Sequence, residues 1–112
     1  MDVKFLGASL DIDSATTTVG TAATLLPAFP MALRRSLYIF NNAAAGGTVL
    51  YVGGNDVTTA AGMPIPPQTS LALDISAIIG GGNPPTTASV GAAGIYGIVS
   101  TGTVDCRTLE IG

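Results

Sequence analysis

Apolar residues in this chain come in short runs that are β-branched, aromatic or alternating, each closed by glycine, proline or asparagine. Thr16-Thr17-Thr18-Val19, Ser36 to Phe40, Thr48 to Val52, Ile95 to Ser100 and Thr103 to Ile111 are such runs. In Ile95 to Ser100, Ile95, Gly97 and Val99 alternate with Tyr96 and Ile98, which is the period of a strand. Turn-forming stretches separate the runs. Asn41 to Gly47 is a loop of small residues, Gly53-Gly54-Asn55-Asp56 ends the strand before it, and Thr101-Gly102 predicts a tight hairpin between the last two strands. Fifteen glycines and seven prolines break the chain too often for long helices. The pattern predicts an all-β fold, a single antiparallel β-sandwich, jelly-roll-like or Ig-like, over 16–112. Residues 1–15 are expected to form an N-terminal arm or a first strand.

Two segments admit two readings. Leu71, Leu73 and Ile75 alternate as a strand, whereas Leu71, Ile75 and Ile78 share one helix face; a strand followed by an irregular turn is preferred. In the last run Val104 and Cys106 fall on one parity, Leu109 and Ile111 on the other. Either both faces of that strand are covered, or a β-bulge near Arg107-Thr108 shifts the register.

Composition changes the picture at the surface. The chain has 112 residues, enough for one domain, and is 47% hydrophobic but only 10% charged, against about 25% charged in ordinary soluble proteins. Thr, Ser, Asn, Gly and Ala must cover most of the exterior. Such a surface resists association weakly, so part of it is expected to be buried against partners or copies of the same chain. The net charge is −3, and the four basic residues, Lys4, Arg34, Arg35 and Arg107, do not form the basic face that nucleic acid requires. Met1-Asp2 opens no signal-peptide pattern, and no run of about 18 apolar residues exists to span a bilayer.

Candidate chemistry is sparse. The absence of histidine removes the commonest general base, the usual nucleophile pairs and most zinc sites. Gly80-Gly81-Gly82 lacks the Lys-Ser/Thr of a phosphate-binding loop. Asp11 and Asp13 share one side of an extended segment and have the donor type for calcium, but a solvated turn explains them more simply. Asp56, Asp74, Asp105 and Glu110 are expected to face solvent. Cys106 is expected to be a small core residue. Tyr38 and Tyr51 are expected to be cross-strand packing partners. No enzyme activity, cofactor or metal is expected.

The candidate interface residues are Arg34, Arg35, Tyr96, Asn83, Pro84 and Pro85. For Arg34-Arg35 one reading is an ion pair with a neighbouring subunit. The other is charges facing water, or one arginine pairing inside the domain with Asp74 or Glu110. Tyr96 is of a type favoured at interfaces, and the loop through Asn83-Pro84-Pro85 is the least regular stretch of the chain.

Taken in order, several segments form a pattern: Thr21-Ala22-Ala23-Thr24-Leu25-Leu26-Pro27, Arg34-Arg35-Ser36-Leu37-Tyr38-Ile39-Phe40-Asn41-Asn42, Val49-Leu50-Tyr51-Val52-Gly53, Asp56-Val57-Thr58-Thr59, Gly62-Met63-Pro64-Ile65-Pro66-Pro67 and Gly94-Ile95-Tyr96-Gly97-Ile98-Val99-Ser100. This resembles the small β-sandwich virion proteins of tailed bacteriophages, over about residues 16–111. The chain departs from it at Ile65-Pro66-Pro67, where that family more often has Leu-x-Pro-Gly. The resemblance implies a capsid decoration (cement) protein, made in the host bacterial cytoplasm and placed on the outer surface of the virion head. There it would bridge major capsid protein subunits and associate with itself as a trimer or dimer. The N-terminal segment and the loop around 80–89 would carry those contacts. A tail or head-fibre module that binds a host receptor or glycan is the alternative.

Overall fold

The computed structural model describes residues 12–30, 34–74 and 94–112. Eight strands and no helix occur among them: β1 (Ile12–Val19), β2 (Thr24–Leu25), β3 (Ser36–Asn41), β4 (Leu50–Gly53), β5 (Met63–Ile65), β6 (Ser70–Asp74), β7 (Tyr96–Ile98) and β8 (Val104–Ile111). They form two four-stranded antiparallel sheets, ordered β1-β8-β3-β6 and β2-β7-β4-β5. The all-β, two-sheet architecture is the one that the alternation in the sequence predicts.

Leu37 and Ile39 of β3, Val104 and Cys106 of β8 and Val19 of β1 pack from the first sheet against Leu26, Leu50, Val52, Ile65 and Val99. Each fully buried aliphatic side chain contributes about 1.5–3 kcal/mol through removal of apolar surface from water. Gly97, in the middle of the second sheet, is crowded by the side chains of its neighbours on either side. A β-carbon there would lie 2.9 Å from Leu26 Cδ1 and 3.1 Å from Leu50 Cδ1.

Three features differ from the expected ones. β1 starts at Ile12, so a division between arm and sandwich at residue 15 falls inside a strand. Residues 1–11 lie outside the described residues. β6 confirms a strand over Leu71 and Leu73; the rest of the segment, to Ile79, lies outside the described residues. β7 and β8 do not form a hairpin: β7 pairs with β2 and β4 in one sheet, β8 with β1 and β3 in the other. The turn at Thr101-Gly102 therefore carries the chain between layers. Gly102 adopts φ +68° there, and Val99 N donates to Gly20 O at 3.0 Å across the crossing. Finally, β8 has no bulge. Its register runs unbroken against β1 from Val19↔Val104 to Ile12↔Ile111 and against β3 from Asn41↔Cys106 to Ser36↔Ile111. Neither reading of this strand holds: the register has no bulge, and the outer face is apolar without being covered, Leu109 being 37% exposed.

Tyr38 and Tyr51 are not partners of each other, because β3 and β4 belong to different sheets. Tyr38 stands opposite Leu109 and Ala72, Tyr51 opposite Pro64 and Ile98.

Asn41 locks one end of the sandwich. It is fully buried, and its Nδ2 donates to Thr48 O at 3.0 Å and Ile65 O at 2.8 Å, while its Oδ1 accepts from Ala43 N at 3.0 Å. It thus ties the β3–β4 loop to the end of β5. The neighbouring turn contains Gln68, which adopts φ +61°. The left-handed conformation costs a side-chain-bearing residue roughly 1 kcal/mol. Here Gln68 N donates to Asn41 O at 2.8 Å and Gln68 Nε2 donates to Ala43 O at 2.7 Å, which offsets that cost.

Candidate functional site

Strict period two along β8 sorts its residues into two surfaces. Val104, Cys106, Thr108 and Glu110 point inward and are buried. Asp105, Arg107, Leu109 and Ile111 point outward, and pairing on both sides extends that outer surface across the sheet. One cross-strand row reads Ser14, Leu109, Tyr38, Ala72; the next reads Ile12, Ile111, Ser36, Asp74; a third reads Thr16, Arg107, Phe40, Ser70. Tyr38, Leu109 and Ile12 are 41%, 37% and 66% exposed. With strands about 4.8 Å apart, these side chains, flanked by Phe40 and Ile111, form one continuous apolar patch in the middle of the face. Patches of this kind on a small domain mark contact surfaces.

Polar groups rim the patch. Arg107 Nη2 lies 3.3 Å from Asp105 Oδ2, with both side chains partly in water, and Asn42 Nδ2 donates to the same oxygen at 3.0 Å. An exposed pair like this contributes less than about 1 kcal/mol to stability, and its role is to border the patch. The outer face of the second sheet carries Leu25, Tyr51, Tyr96 and Ile98, all half-buried. Phe29, 89% exposed, projects from the segment that follows β2.

The sequence-derived interface residues separate. Arg34 is not on the surface: it is 1% exposed, and its Nη1 donates to Glu110 Oε2 at 2.7 Å and to Leu26 O at 3.3 Å. It therefore follows the reading in which one arginine pairs inside the domain, and it drops out as a surface contact. Glu110, expected to face solvent, is 1% exposed for the same reason. A carboxylate on the inner face of a strand needs an opposite charge, and the start of β3 supplies one. Arg35 stays exposed, its backbone N donating to Ile111 O at 2.7 Å. Tyr96 is half-buried on β7. Asn83, Pro84 and Pro85 lie outside the described residues.

Cys106 is fully buried, and burial, reinforced by the charge of Asp105, pushes its thiol up to about 12. Its thiolate, the nucleophilic form, is thus suppressed. Asp13 is exposed on β1 and Asp56 exposed in the turn after β4. Among the described residues no three acidic or cysteine side chains come together to hold a metal ion, and no helix is long and apolar enough to cross a membrane.

The reading from sequence alone missed the patch, because Tyr38 and Leu109 are joined only by the pairing of β3 with β8. One signal was present: the apolar pair Leu109 and Ile111 on the parity opposite to Val104 and Cys106. Compared with protein-family models and with curated protein sequences, the chain matches none.

Proposed function

We propose that the protein is a structural module that works by surface association, without a catalytic step, and that it is a decoration protein of a tailed-phage head. The observation that supports this most is the apolar outer face of the β1-β8-β3-β6 sheet, where Ile12, Tyr38 and Leu109 are exposed together on a chain with few charges. The resemblance of the segments through Arg34 to Asn42 and Gly94 to Ser100 to small virion sandwiches supports the choice of partner. A decoration protein has to be small, self-contained and adhesive toward a lattice of identical subunits. Burying about 800 Å² on each partner makes one specific contact, and a lattice multiplies its effect through avidity. Each copy would bridge adjacent major capsid protein subunits and oppose their separation, as any ligand of the assembled state does.

Pelleting with expanded, empty heads of the encoding phage tests this reading. The expected result is saturable co-sedimentation with hundreds of copies per head. Recovery of the protein in the supernatant at every concentration would sink it. Binding to a defined glycan, with few copies per virion, would favour the fibre-module alternative.

A further inference from the structure

The two sheets end in four edge strands, and they are not alike. β2 has two residues and β5 has three, with Pro64, which lacks an N–H, at its centre. β6 has five. β1 has eight residues, Ile-Asp-Ser-Ala-Thr-Thr-Thr-Val, with no proline, no glycine and no cation, and it is paired on one side along its whole length with β8. Among the described residues nothing pairs with its other side. Proteins blunt an edge they do not use by shortening it or by placing proline, lysine, a bulge or an inward charge in it; of these β1 has only one inward charge, Asp13, one residue from its start.

We infer that the open edge of β1 is the contact between two copies of this chain, joined antiparallel about a two-fold axis with Ala15 opposite Ala15 of the second copy. The register follows from the faces. Ser14, Thr16 and Thr18 point outward, Asp13, Ala15 and Thr17 inward, and residues opposite each other in a sheet must share a face. Centring on Ala15 satisfies this and pairs every position from Ile12 to Thr18. It sets Ser14 against Thr16, a favourable hydroxyl pair, and keeps the two Asp13 carboxylates apart. It also sets Asp13 of one copy opposite Thr17 of the other, and the Thr17 hydroxyl is buried with no hydrogen-bond partner among the described residues. Moving the centre to Thr16 would put Asp13 opposite the fully buried Val19; moving it to Ser14 would put Asp13 opposite Ala15 and lose two paired positions. The product is one continuous eight-stranded sheet whose apolar outer patches lie on the same side. This inference is independent of the shell-binding reading, since its test contains no shell.

Sedimentation velocity of the full chain, with mild oxidation of two cysteine variants, tests it. The chain should sediment as a dimer. Ala15→Cys should cross-link readily, because the two positions face each other within disulfide reach, and Asp13→Cys should cross-link far more slowly. Thr16→Lys, which sets a cation at each end of the central pairs, should raise the dimer dissociation constant at least about tenfold with circular dichroism unchanged. A chain that stays monomeric at every concentration overturns the inference. So does equal cross-linking of Ala15→Cys and Asp13→Cys, or tighter association of Asp13→Asn, which would make Asp13 an inward charge that guards the edge.

Discussion

The inner and outer faces of β8 differ by a single residue step, yet they do different things. Inward, Val104 and Cys106 join the core and Glu110 meets Arg34. Outward, Leu109 stands beside Tyr38 with much of both rings and methyls in water. Both faces carry apolar residues, so hydrophobicity alone does not separate them. What separates them is whether the chain itself supplies the partner. On the inner face Val104 and Cys106 pack in the core and Glu110 is ion-paired, while the buried Thr108 hydroxyl has no hydrogen-bond partner among the described residues. The outer face has apolar side chains that the described residues leave partly in water.

That contrast can be broken from the inner side first. Glu110→Ala should produce the largest loss of stability, about 3–5 kcal/mol, because Arg34 would keep its charge in the interior without this carboxylate. Replacing both Arg34 and Glu110 with apolar residues should cost much less than the single change. Chemical denaturation of the three variants measures the difference, and equal losses would show that the pair is not coupled. Gly97→Ala comes next, at about 1–3 kcal/mol, since the added methyl must displace Leu26 or Leu50 in a packed layer. A neutral result would mean that the two leucine side chains yield at this point.

Cys106 sharpens the comparison through pH. Its thiol is held up to about 12 in the folded chain against an ordinary value of 9.0, so the unfolded chain loses this proton first as pH rises. The stabilisation is therefore complete below about pH 9 and is lost as pH rises toward about 12. Denaturation midpoints followed over that range should fall, and Cys106→Ala should flatten the fall. The smallest effect belongs to Gln68→Gly. It relieves the left-handed backbone but gives up the bond from Nε2 to Ala43 O, so the net change should stay within about 1 kcal/mol. A larger loss by thermal melting would show that the side-chain bond dominates.

The sequence made the sandwich legible because period two persists wherever strands occur, in Ser36 to Phe40 as in Val104 to Cys106. It made the partnerships less legible. Thr101-Gly102 has hairpin chemistry, but Gly20, some eighty positions earlier, accepts the hydrogen bond from Val99 that fixes the crossing between sheets. The pairing of Arg34 with Glu110 stood as one reading among several because nothing local shows that the start of β3 and the end of β8 converge inside. The apolar outer patch was hidden for the same reason. Leu109 on the second parity of β8 signalled an apolar outer face, but only long-range pairing places Tyr38 next to it.

The most direct test joins Tyr38→Lys and Leu109→Lys in one chain and measures melting and co-sedimentation with expanded heads side by side. Outward positions contribute little to the fold, so melting should stay within about 0.5 kcal/mol of the parent. Binding to heads should disappear. Retained binding, or a collapse in stability with it, would contradict the assignment of this face to contact.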